Sequence, residues 1–153
     1  MAFWGVPSQG IFSGERIEIH TMKRRSRILI GKVGLDGHDV GARVVTKALA
    51  DAGMEVIYTG LRQTPEMIVR TAIQEDVDVI GISILSGAHM TFFPEIIRLL
   101  NCYKVTHIAL IAGGIIPTED IPALKEIGVK GIFLPETPTS EIVGFVKNLI
   151  EAK

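Results

Sequence analysis

From Arg27 onward, short apolar runs rich in β-branched residues alternate five times with helix-length segments, each run bounded by Gly, Pro, Asp or Thr. The runs are Ile28 to Val33, Glu55 to Thr59, Val77 to Ile84, His107 to Ala112 and Gly131 to Leu134. A half-exposed antiparallel strand would show polar residues at every second position; these runs are almost continuously apolar and suit parallel strands covered on both faces. Between them, Val40, Val44, Val45, Ala48 and Leu49, then Ile68, Ala72 and Ile73, then Phe92, Phe93, Ile96, Ile97 and Leu100 recur at helical spacing. Ile142, Val146, Leu149 and Ile150 give the last helix its buried stripe. Thr64-Pro65-Glu66 and Thr118-Glu119-Asp120 read as helix starts, Gly53 and Gly128 as stops. Right-handed crossovers then predict an α/β fold, a doubly wound five-stranded parallel sheet in the flavodoxin-like order 2-1-3-4-5.

A chain of 153 residues, 47% hydrophobic, suffices for one packed domain, read as 27–153, with no room for a second. Met1 to Ser26 has neither period, and Gly and Pro interrupt each of its apolar runs, so it is read as a flexible tail rather than a secretory signal. Sixteen Lys plus Arg against seventeen Asp plus Glu leave no basic excess for nucleic acid. Cys102, the single cysteine, excludes an internal disulfide and a Cys-x-x-Cys metal site, points to the cytoplasm, and is expected to be buried in its helix. No run reaches the roughly 18 apolar residues of a membrane span, so a soluble protein is expected.

In open α/β sheets ligands bind beyond the carboxyl ends of the strands. The loop after strand 1, Gly31-Lys32-Val33-Gly34-Leu35-Asp36-Gly37-His38-Asp39-Val40-Gly41, holds Lys, Asp and His among glycines. It is not a phosphate-binding loop, because Lys32 precedes the glycines and no Gly-Lys-Ser/Thr follows; the dinucleotide spacing Gly-x-Gly-x-x-Gly is also absent. Gly81-Ile82-Ser83-Ile84-Leu85 lacks the second glycine of a nucleophile elbow. A phospho-receiver shares the strand order, but Ser83 to Gly87 has no acceptor acid and Leu134-Pro135-Glu136 has no lysine.

Asp36 and His38, two apart in an extended segment, point to one side, so the carboxylate can accept the imidazole Nδ1–H and leave Nε2 free for a metal. Lys32 extends that relay. One histidine cannot hold a bare ion, and no second His or Cys lies at ligand spacing; a metal carried by a corrin or haem needs one axial ligand only. The competing reading is a histidine that caps a helix or is bonded within a turn. Gly37 and Gly41 leave room for a large flat ligand. Ser83 and Leu85 after strand 3, with Gly113-Gly114 after strand 4, leave a slot beside strand 1 for a tail. His89, at the start of the third helix, is given a packing or capping role, and His107 lies at the opposite sheet edge.

Asp36-Gly37-His38-Asp39-Val40-Gly41, Ser83-Ile84-Leu85 and Gly113-Gly114 occur in the order and with the gaps of the pattern Asp-x-His-x-x-Gly, Ser-x-Leu, Gly-Gly. In these residues, and in Tyr58 to Glu66, the chain from Arg27 to Lys153 resembles the cobalamin-binding domain of adenosylcobalamin-dependent mutases, methylmalonyl-CoA mutase above all. The resemblance implies an isomerase subunit that binds adenosylcobalamin base-off, with His38 as lower axial ligand to cobalt and Asp36 and Lys32 behind it. Asp36, Gly37, His38, Asp39, Val40, Gly41, Ser83, Leu85, Gly113, Gly114 and Thr137 would contact the cofactor. Glu136 departs from the glycine usual in a Pro-Gly-Thr turn there. The acyl-CoA would bind a separate (β/α)₈ barrel subunit of about 250 residues, without which no turnover is expected. The alternative, a corrinoid methyl carrier, ordinarily has a helical cap domain that Met1 to Ser26 is too short to supply.

Overall fold

The computed structural model describes residues 24–34, 37–85 and 87–152. Strands β1 (Arg27–Lys32), β2 (Glu55–Tyr58), β3 (Val79–Ile84), β4 (Ala109–Gly114) and β5 (Val129–Phe133) alternate with helices α1 (Val40–Asp51), α2 (Pro65–Gln74), α3 (His89–Cys102), α4 (Ile121–Ile127) and α5 (Thr139–Glu151). All strand pairs are parallel and the order is β2-β1-β3-β4-β5, as the apolar runs predict. Among the described residues no helix is long and apolar enough to cross a membrane.

Each strand feeds two cores because successive side chains point to opposite faces. Ile28, Ile30, Val79, Ala109 and Ile111 pack with Ala42 and Leu49 of α1 and Ile142 and Val146 of α5. Leu29, Ile80, Ile82, Leu110 and Ala112 pack on the other face with Ile68, Phe93, Ile96 and Leu124 from α2, α3 and α4. The Thr64 hydroxyl caps α2 by accepting from the Met67 amide at 3.1 Å, with Pro65 at the first helical position.

Several element ends move from their expected places. Val77 belongs to the turn leaving α2, where its amide donates to Ala72 O, so β3 begins at Val79. His107 lies in a turn whose next amide, that of Ile108, donates to Val105 O; β4 therefore starts at Ala109 and carries Gly113 and Gly114 as its last two residues. β5 begins directly after Gly128, with Val129 paired to Leu110. Thr118–Asp120 forms a single 3₁₀ turn before α4. Cys102 is exposed rather than buried, because the inward stripe of α3 runs through Phe93, Ile96 and Leu100 and residue 102 falls out of phase with it. Of the expected tail, 1–23 lies outside the described residues; the Arg24 guanidinium pairs with Asp78 at 3.2 Å and Ser26 O accepts from the Glu55 amide.

Candidate functional site

The register places Lys32 beside Ser83, Ser83 beside Gly113, and Gly113 beside Phe133, one row across the carboxyl edge of the sheet. This row lies on the α1 and α5 side. Down β3 that face runs Val79, Gly81, Ser83, and down β4 it runs Ala109, Ile111, Gly113. Small residues near the top leave a space the helices do not fill: a cavity of about 620 Å³, within the range of small-molecule sites. Its floor is Ile30, Gly81, Ser83, Ile111 and Gly113; α1 and α5 supply walls, and the loop after β5 closes one end.

Gly37, His38, Asp39, Val40, Gly41, Ser83, Leu85, Gly113, Gly114 and Thr137 all line this cavity, with Glu136. Asp36 lies outside the described residues. Lys32 does not line it; its side chain is fully buried and Nζ donates to the carbonyl of Ser83 at 3.2 Å. That bond braces the end of β3 against β1. His38 is exposed at the rim. A Cβ added to Gly37 or to Gly41 would meet nothing within 4 Å. Val40 and Val44, one turn apart on α1, are 75% and 51% exposed and present an apolar edge to the opening.

At the far end Gly114 has φ +125° and an added Cβ would lie 1.9 Å from the Ile84 carbonyl oxygen, so only glycine fits there. Glu136 has φ +73°, a left-handed conformation that glycine adopts without strain and a residue with a side chain only at a cost. The turn is held by Thr137, whose hydroxyl and amide donate to Leu134 O at 2.6 and 3.2 Å. Apolar contributors such as Val44, Phe133 and Ile142 were missed from sequence, because a core-spaced apolar residue gives no sign that one of its faces is left uncovered.

His89 is 3% exposed, and its Nε2 lies 2.8 Å from Asp120 Oδ2, joining the start of α3 to the 3₁₀ turn before α4. Its Nδ1 is buried with no partner among the described residues. This is the packing role expected of it.

The residues present fit a large planar group with an appended tail. An exposed imidazole stands at the rim between two unobstructed glycines, and behind it runs an apolar recess floored by small residues. No group of three His, Cys, Asp or Glu that could hold a bare ion occurs among the described residues.

The chain belongs to the B12-binding domain family, whose model matches residues 26–143. Cobalamin is accordingly its cofactor. More particularly, it is 50% identical over 127 residues to the 2-hydroxyisobutanoyl-CoA mutase small subunit of Aquincola tertiaricarbonis, covering 83% of this chain and 93% of that one. It is 44% identical over 127 residues to the methylmalonyl-CoA mutase of Escherichia coli, covering 83% of this chain and only 18% of that longer protein. In fold it is similar to a cobalamin-binding protein from Desulfitobacterium hafniense, with TM-score 0.72 and 17% identity over 90% of this chain and 76% of that one.

Proposed function

We propose that this chain is the cobalamin-carrying small subunit of an adenosylcobalamin-dependent acyl-CoA mutase, working as an isomerase in the cytoplasm with a barrel-shaped partner that binds the thioester. The observation that carries this reading is His38, exposed at the mouth of a cavity whose floor narrows to Gly81, Ser83 and Gly113. The likeness to a small subunit over 93% of its length supports a two-chain enzyme. Residues 27–153 form the working unit.

When bound, the cofactor supplies a cobalt–carbon bond whose homolysis starts a radical rearrangement of the acyl carbon skeleton, chemistry that belongs to the cofactor rather than to the protein. His38 would hold the cobalt from the protein side in place of the cofactor's own base. Asp36 holds the Nδ1 proton so that Nε2 keeps its lone pair. Gly37 and Gly41 let the ring approach the backbone, while Val40 and Val44 cover its edge with apolar surface and exclude water. Ser83, Leu85, Gly113, Gly114 and Thr137 receive the displaced nucleotide tail.

Acyl selectivity belongs to the partner. The resemblance in sequence motifs favours methylmalonyl-CoA; the likeness to a 2-hydroxyisobutanoyl-CoA mutase small subunit makes that thioester the one to compare. The test is to titrate the full chain with adenosylcobalamin, follow the visible spectrum, and record EPR of the reduced cofactor. Nitrogen hyperfine splitting from a protein imidazole, lost in His38→Ala, is expected. Retention of the cofactor's own base would overturn the reading. Turnover of either thioester should require the partner subunit; mutase activity of this chain alone would contradict the division of labour.

A further inference from the structure

Asp39 occupies the N-cap position of α1, where an aspartate ordinarily accepts from the first-turn amides. It makes no such bond. Its Oδ2 instead accepts from Arg43 Nε at 2.5 Å, one turn along the helix, and from the hydroxyl of Tyr58, the last residue of β2, at 3.4 Å. The Arg43 guanidinium lies over the Tyr58 ring, its carbon 5.5 Å from the ring centroid, and so closes a three-cornered contact between the start of α1 and the end of β2. The hydrogen bond from Arg43 holds the Asp39 carboxyl below the usual carboxylate range, while burial and the neighbouring carboxylate push the Tyr58 phenol up. At 3.4 Å the Tyr58 contact is long for an O–H···O bond, so Arg43 is the tighter of the two ties on Asp39.

His38 is flanked on one side by Gly37, which has no side chain to anchor it, and on the other by this fastened Asp39. We propose that Tyr58 and Arg43 are positioning residues of the cofactor site: by tying down Asp39 they fix the backbone from which His38 is presented. Asp39 had been expected to contact the cofactor; on this view its carboxylate serves the protein and its backbone serves the ligand. The inference rests on His38 being the cobalt ligand.

The test uses full-length Tyr58→Phe, Arg43→Gln and Arg43→Lys, with aquocobalamin as the probe in visible titrations and EPR of the reduced bound cofactor as the second readout. Tyr58→Phe keeps the ring under Arg43 and removes one bond, so binding should weaken by about 3- to 10-fold, at or below the ~10- to 100-fold typical of losing a direct partner of a ligating histidine. Arg43→Gln should weaken it further, Arg43→Lys should recover part of the loss, and in each the histidine-ligated fraction of bound cofactor should fall. Wild-type affinity and ligated fraction in all three would overturn the inference. So would a lowered melting temperature with the ligated fraction unchanged, which is what a merely structural role gives. His38→Ala separates the two claims: if it leaves the spectrum unchanged, the reading of the site fails; if it abolishes ligation while Tyr58→Phe and Arg43→Gln do nothing, only the positioning role fails.

Discussion

Two halves of the sheet's carboxyl edge, one at the cavity and one reaching across the sheet to α3, each carry a histidine and a conspicuous glycine, and use them in opposite ways. In the half built by β1 and α1, His38 is exposed and Gly37 and Gly41 touch nothing where a side chain would start. In the half built by β3, β4 and α3, His89 is buried against Asp120 and Gly114 is pressed on the Ile84 carbonyl. Residue type is therefore no guide to role here. A group whose space is empty in the folded chain is available to a ligand, and one whose space is filled holds the fold.

The largest effect should come from the glycines of the packed half. Gly114→Ala adds a steric collision to an unfavourable φ and should destabilise the chain by about 3 kcal/mol or more, read from urea unfolding. Stability within a few tenths of wild type would erase the contrast.

The histidines come next. His89→Ala empties a buried site and strands Asp120, which should cost about 2–4 kcal/mol in stability. His38→Ala should leave stability within about 0.5 kcal/mol, as for other exposed positions, while weakening cobalamin binding at least tenfold. Equal losses of stability in the two variants would show that His38 is also structural.

Gly41→Ala sharpens the comparison by its sign. Alanine is the better helix former by up to ~1 kcal/mol, so the melting temperature of the apoprotein should rise slightly while cobalamin affinity falls. A rise in both would mean the open space serves no ligand.

The smallest effect lies in the turn beyond β5, where Glu136→Gly should relieve a left-handed backbone and raise stability by about 1 kcal/mol, visible as a modest upward shift of the thermal midpoint. No shift would mean that the Thr137 bonds to Leu134 O already compensate the strain.

The order of strands and the identity of most rim residues were legible because both depend on short-range chemistry. Apolar runs long enough for a strand, covered on both faces, leave few topologies once crossovers are right-handed. Loops at the carboxyl ends of those strands then fall on one edge, and so His38, Ser83, Leu85 and Gly113 could be grouped before any contact was known, while Thr137 joined them only through the family resemblance. Strand ends were less legible: Val77 and His107 are used in turns by hydrogen bonds to Ala72 and Val105 that the apolar pattern does not register. Cys102 was misplaced because average burial of cysteine says nothing of helical phase.

By itself the sequence determined the parallel α/β architecture, the strand order and the cluster of polar and small residues at one sheet edge, since periodicity and chain connectivity act locally. Only the tertiary structure decided which histidine faces open space, which glycine has no alternative, that Lys32 braces Ser83 from beneath, and that Asp39 turns away from its own helix toward Arg43 and Tyr58. Those outcomes depend on what other strands and helices bring within a few ångströms, and one-dimensional spacing does not encode that proximity.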